Sequence, residues 1–231
     1  MSRLEEIREA ERASHEEIYS TAKLFQPGSW LAKPVTTVMA MLPLFEGKVD
    51  LRVLDLGCGV GRNSIPIAEK LCCSVDCVDI LPMAIDKLNE NALHHGVEQH
   101  IYGRVCSIDD YAVEKNRYDL ILAVSALEHV RSRLCFAEKL LAIRDGIKTG
   151  GIVCLVVNSE VRETNQETGE MLLPQFEVNL SSDEMLALLF QSFLGWQVIK
   201  QTVVHQCYLV PRGGHMVELN TDVVTFAAKK V

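Results

Sequence analysis

Val53-Leu54-Asp55-Leu56-Gly57-Cys58-Gly59-Val60-Gly61-Arg62-Asn63-Ser64 is the stretch that decides how this 231-residue chain is read. The apolar run ending at Leu56 reads as a buried strand, and the polar step at Arg62-Asn63-Ser64 opens a helix. Between them, Gly57, Gly59 and Gly61 form a turn that can take positive φ and that a ligand can approach without meeting a side chain. Dinucleotide loops space their glycines as G-x-G-x-x-G, with the diphosphate over the helix N-terminus. Here Gly61 comes one residue early, and Arg62 stands where the last glycine of that pattern belongs. Asp55, just ahead of the glycines, repels a diphosphate and suits a ligand that carries an ammonium and a sulfonium. The loop therefore points to S-adenosylmethionine rather than to a dinucleotide.

Outward from the loop, strands and helices alternate. Residues 51–56, 74–78, 101–106, 118–124 and 152–158 read as strands. Helices are expected at 62–71, at 82–95 behind Pro82, and at 133–146 up to Gly146. Such alternation predicts an α/β fold, a Rossmann-like doubly wound and mostly parallel sheet with helices on both faces. Residues 3–24 read as an amphipathic helix ended by Pro27-Gly28, which either caps a pocket or packs on the sheet edge. A second helix is expected from Pro34 to about Leu42. In the last third, Ser181-Ser182-Asp183-Glu184 is a capping box ahead of an apolar helix. Residues 196–204 and 222–228 flank a turn-rich Pro211-Arg212-Gly213-Gly214 and pair as a hairpin, ending the sheet with an antiparallel member. Residues 1–231 are expected to form a single domain, with 1–45 as an N-terminal helical cap.

Composition narrows the partners. A formal net charge of −8 without a dense Lys/Arg block speaks against a protein that lives on nucleic-acid phosphates or an anionic membrane. A small-molecule partner is expected instead, and oligomeric state is not legible. The charged N-terminal region lacks an apolar signal core, which predicts a cytoplasmic location. The eight cysteines lack paired C-x-x-C spacing, so no metal site is expected, and they read as reduced core residues.

Ligands of an open α/β sheet sit beyond the carboxyl ends of its strands. Asp79, 22 positions after Gly57, ends the second strand with Ile80 beside it, where an acid accepts hydrogen bonds from both ribose hydroxyls or caps the helix at Pro82. After the third strand, Ile108 is placed to pack on an adenine ring, and Asp109 either accepts its amino group or sits in a solvated loop. After the fourth strand, carbonyls from Val124 onward can receive the cofactor's ammonium. His129 either lines the methyl site or caps the following helix.

The run D-L-G-C-G-V-G-R, the acid at Asp79, S-I-D-D and the strand ending before L-E-H-V resemble the class I S-adenosylmethionine-dependent methyltransferases over about residues 50–158. More narrowly, G-R-N-S, Lys33-Pro34, S-S-D-E-M before an apolar helix and the final V-T-F-A-A-K-K resemble the tellurite-resistance methyltransferase family. The resemblance implies a seven-stranded sheet with its last strand antiparallel, and methyl transfer to small soft nucleophiles, including thiols and selenium or tellurium oxyanions. It also implies that Asp55, Gly57, Cys58, Gly59, Asn63 and Ser64 hold the methionine part of the cofactor, with Gly61 among the cofactor-binding residues of the same loop. His205 matches a histidine that the family places in its active site, although the family's next residue is Arg and here it is Gln206. His129 and His205 are thus the candidate catalytic residues. A thiolate or reduced chalcogen needs no general base, whereas a hydroxyl or amine acceptor does. Alternatives are transfer to a carboxylate, amine or hydroxyl of a metabolite, and a catalytically silent S-adenosylmethionine-binding partner.

Overall fold

The computed structural model describes residues 3–212 and 214–231, so Gly213 of the hairpin turn lies outside the described residues. Its strands are β1 (Arg52–Leu56), β2 (Ser74–Asp79), β3 (Ile101–Val105), β4 (Tyr118–Val124), β5 (Ile147–Asn165), β6 (Met171–Leu172), β7 (Gln197–Arg212) and β8 (His215–Lys229). Its helices are α1 (Arg3–Thr21), α2 (Thr36–Met41), α3 (Ser64–Leu71), α4 (Pro82–His94), α5 (Arg133–Gly146) and α6 (Ser182–Ser192). The main sheet runs β3-β2-β1-β4-β5-β8-β7, with the two-residue β6 paired to β5 off this path. Strands β3 to β5 are parallel, and β8 runs antiparallel to both neighbours. This is the doubly wound α/β arrangement that the alternation predicts, with an eighth short strand added.

Two apolar layers sandwich the sheet. Strand residues Val53, Val75, Leu122 and Cys154 pack with α2, α3 and α4 on one face. Leu54, Ile121, Leu155 and Phe226 pack with α5 and α6 on the other. Both faces are covered, which is why β1 and β4 read as continuous apolar runs rather than as alternating ones. The cysteines are free, and no His/Cys/Asp/Glu group among the described residues has the arrangement of a metal site. Among the described residues no helix is long and apolar enough to cross a membrane.

Several element boundaries differ from the sequence reading. Helix α2 begins at Thr36 rather than Pro34, because the Val35 N–H is taken by Asn63 Oδ1 at 2.9 Å. Helix α3 begins at Ser64 rather than at 62, since Gly61 still holds a turn with φ +94°. The larger difference is β5, expected at 152–158 and observed as 19 residues. Its polar continuation, Ser159 to Asn165, pairs with Val217 to Asp222 of β8 after a bulge between Ser159 and Arg162. Charged residues such as Arg162 and Glu163 hide such a strand from a hydrophobic pattern, and cross-strand pairing supplies what local propensity does not. The hairpin β7–β8 is longer than expected because cross-strand pairing continues past His205 and Asp222 to Arg212 and His215.

Candidate functional site

The loop after β1 is shaped by close approach. Gly57, Gly59 and Gly61 have φ of +73°, +53° and +94°. A Cβ on Gly57 would stand 2.3 Å from Ala126 Cβ, one on Gly59 would stand 2.8 Å from the Tyr19 hydroxyl, and one on Gly61 would stand 2.7 Å from Leu88 Cδ1. Each glycine therefore lets a different element close on the loop: the segment after β4, helix α1, and helix α4. The N–H groups of Gly57 and Cys58 donate to the Val78 carbonyl at 2.8 and 3.0 Å, tying the loop to the end of β2. Ile108, after β3, comes up to the same loop, its Cδ1 lying 3.7 Å from where a Cβ of Gly57 would be.

Two buried carboxylates flank these glycines. Asp79 accepts from the Gly59 N–H through Oδ2 and from the Leu81 N–H through Oδ1, both at 2.9 Å. Burial pushes its pKa up against these hydrogen bonds. Asp79 thus braces the loop and the start of α4 at once, and Ile80 beside it is exposed. Asp55 accepts from Ser64 Oγ at 2.5 Å, and burial carries its pKa up to about 7 although Ser64 and Arg62 pull it down. A carboxylate held so far above its usual range is one whose burial no neighbouring cation fully offsets. Cys58 is buried in the loop, and burial pushes its thiol well up, so it packs rather than reacts. Arg62 donates to the Trp30 carbonyl at 2.9 Å and stacks over the Trp30 ring.

The opposite wall is made of charge, and α1 organises it. This helix buries only Ile7 and Tyr19. Its Arg8 pairs with Asp109 at 2.8 Å and with Glu177 at 3.4 Å, and its Glu11 pairs with Arg212 at 3.1 Å. Asp109 also receives the Arg131 N–H, so both of its oxygens are engaged. His129, in the turn after β4, bonds Glu177 through Nδ1 at 2.9 Å, lies 3.9 Å from Glu11 through Nε2, and stacks on Phe176. Burial works against its charge, yet the Glu177 hydrogen bond and the nearby Glu11 and Glu128 carry its pKa up to about 9. Next to it, Glu128 is fully buried. Its Oε1 accepts from the backbone and side chain of Asn158, and its Oε2 has no partner. Burial pushes the Glu128 pKa up.

The structure brings Asp55, Ser64, Asp79, Ile108, Asp109 and His129 to the carboxyl ends of β1 to β4, together with Val124 at the end of β4. Asn63 turns its side-chain oxygen to Val35 instead. His205 lies on β7, bonded to Asp222 at 2.8 Å and largely exposed. The residues that sequence reasoning missed are Tyr19, which seals Gly59, and the ionic partners Arg8, Glu11, Glu177 and Arg212. They come from distant segments, and none sits in a motif. Only the apolar stripe of α1, which includes Tyr19, signals that this helix lies against something.

Comparison with known proteins agrees with the geometry. Residues 53–151 match the family model described as a methyltransferase domain. A ubiquinone biosynthesis O-methyltransferase of Cereibacter sphaeroides is 36% identical over 120 residues, covering 52% of this chain and 44% of that protein. A tocopherol O-methyltransferase of Arabidopsis thaliana is 25% identical over 137 residues, covering 58% of this chain and 37% of that protein. The matched stretch thus spans less than half the length of either relative. Among solved structures, TehB from Haemophilus influenzae superposes with a TM-score of 0.61 at 19% identity, covering 84% of this chain and 62% of that one. The fold is therefore that of the class I, S-adenosylmethionine-dependent methyltransferases. One feature of the residues present fits that cofactor: Asp55 is a buried carboxylate with no Lys or Arg in ion-pair reach among the described residues, which suits a ligand carrying an ammonium.

Proposed function

We propose, starting from a chain that carries a class I methyltransferase domain over residues 53–151, that it transfers the methyl group of S-adenosylmethionine to a small molecule arriving as an anion, such as a thiolate or a selenium or tellurium oxyanion. When bound, the cofactor supplies a methyl group on a positively charged sulfur, and positioning provides much of the rate of a single displacement. In this reading Asp55 and Ser64 hold the amino-acid end, Asp79 the ribose, and Ile108 the adenine face, with the loop glycines and the end of β4 completing the cradle. His129 carries the acceptor side. With its pKa raised to about 9 and Glu177 on Nδ1, it is an imidazolium at neutral pH and a poor base, which suits an acceptor that arrives already ionised.

The observation that carries this reading is the pairing of the glycine loop with Asp55 and Asp79, two buried acids on either side of it. A second reading, transfer to a hydroxyl, is favoured by the similarity to the ubiquinone biosynthesis O-methyltransferase and by Glu128, a buried carboxyl with one unpartnered oxygen. The two separate in one experiment. Purified protein is given S-adenosylmethionine with a panel of thiols, selenite, tellurite, carboxylates, amines and phenols, and release of S-adenosylhomocysteine is followed. Turnover confined to thiols or oxyanions supports the first reading. Turnover confined to phenols and lost in Glu128→Gln supports the second, and tight binding without turnover on any acceptor makes the chain a silent binder. Residues 1–45 are proposed to cap the same domain, and the small-molecule acceptor is proposed to enter beside α1.

A further inference from the structure

The two edges of the sheet are unequal. At one end β3 has five residues and carries Arg104 in mid-strand. At the other, β7 has 16 residues, and its outer edge faces no other strand among the described residues. Natural sheets protect a long edge with charged side chains, prolines or bulges, because a row of free N–H and C=O groups is a template for another strand. On β7 these devices stand only at the ends. A bulge lies between Val198 and Lys200, and Pro211 lies near the turn. The Lys200 ammonium is drawn away to Thr37 at 2.9 Å. Between them, residues 201–210 contain no Asp, Glu, Lys or Arg, in a chain of which 23% is charged.

The side chains along this stretch are apolar and uncovered: Val203 is 40% exposed, Val204 50%, Tyr208 45% and Leu209 54%. Their order is nearly the same in both directions about Gln206. In antiparallel pairing of two such strands centred on Gln206, Val203 meets Leu209, Val204 meets Tyr208, and Gln206 meets its own copy. Apolar cross-strand pairs of this kind are the unit of sheet stabilisation, whereas like charges placed opposite one another oppose it. The remainder of the molecule, at a net charge of −8, repels a second copy, so an uncharged strip is where two copies can meet.

We infer that β7 is a self-association edge, and that two copies of this chain join through antiparallel β7 strands about a two-fold axis at Gln206, continuing the sheet from one copy into the other. An isologous contact of this kind closes at two copies and leaves no free edge on that side.

The test is the mass in solution, by sedimentation or light scattering, of the full chain and of Gln206→Lys and Gln206→Glu. The expected result is a dimer for the parent chain and a monomer for each variant alone, since each then sets like charges face to face. An equal mixture of the two variants returns to dimer, because Lys then faces Glu. Retained helix and sheet signal in circular dichroism shows that each variant is folded, and recovery in the mixture itself requires folded partners. A monomeric parent chain overturns the inference and leaves the edge to a strand of another protein. Variants that stay dimeric overturn it by placing the contact elsewhere, and a mixture that stays monomeric overturns the register.

Discussion

The glycine loop and the charged wall opposite it are two halves of one site, and they are built by different physics. The loop is determined sterically. Three glycines at positive φ each admit a neighbour that a Cβ would displace, and Asp79 fastens the result through two backbone hydrogen bonds. The wall is held by ion pairs from α1, the turn after β4, the segment before α6 and β7, with only Ile7 and Tyr19 of α1 buried. Steric requirements act on residues adjacent in the chain and leave a readable spacing. Ion pairs between distant segments leave none.

The largest expected effect falls on the steric half. Gly57→Val places a branched side chain at φ +73° and against Ala126. Positive-φ strain together with overpacking costs about 3 kcal/mol or more. Chemical denaturation should show that loss, and calorimetry should show no cofactor binding. A variant of parental stability would break the comparison, because the loop would then tolerate a side chain.

The charged half should respond to pH instead. The folded His129 pKa of about 9 lies above its ordinary 6.5, so between those limits the folded protein holds a proton that the unfolded chain has released. Its contribution is full below pH 6.5 and gone above about 9, a difference of about 3 kcal/mol at one pKa unit per 1.36 kcal/mol. Denaturation midpoints should fall over that window in the parent chain, and His129→Gln should flatten the fall. A parent chain equally stable across the window would contradict the imidazolium assignment.

Asp55 sharpens the contrast from the donor side. Its folded pKa of about 7 means that it is partly protonated at neutral pH, and a bound ammonium draws it back towards the ionised form. Binding of S-adenosylmethionine should therefore release a proton and tighten by up to about tenfold per pH unit as pH rises towards 7, an effect that calorimetry in buffers of different ionisation heat reads directly. Affinity unchanged between pH 5.5 and 7 would remove Asp55 from contact with the ammonium.

The smallest effect is expected at Arg8→Ala. Asp109 keeps Arg131 and Glu177 keeps His129, so the loss is about 1 kcal/mol, measured in the same denaturation series and reduced at high salt. A loss several times larger would mean that α1 depends on this one clasp.

How much was legible in the sequence follows the same division. Strands β1, β2 and β4, the glycine turns and the acids at Asp55 and Asp79 were readable, because burial on both faces and close approach dictate residue type position by position. The extension of β5 past Asn158 was not, since Arg162 and Glu163 conceal a strand that β8 stabilises from outside. His205 illustrates the limit of reading by resemblance. It rests on a motif alone: on β7 its ring bonds Asp222 of β8, a pairing that no pattern in the chain announces.

The central claim, that the glycine loop with its two acids is an S-adenosylmethionine site, is tested most directly by titrating S-adenosylmethionine into the parent chain and into Asp79→Ala under calorimetry. The account predicts micromolar binding to the parent and a loss of at least about tenfold in the variant, corresponding to about 1.4 kcal/mol for the lost hydrogen bonding of the ribose to the carboxylate. Absence of binding to the parent chain, or equal affinity in the two, would contradict it.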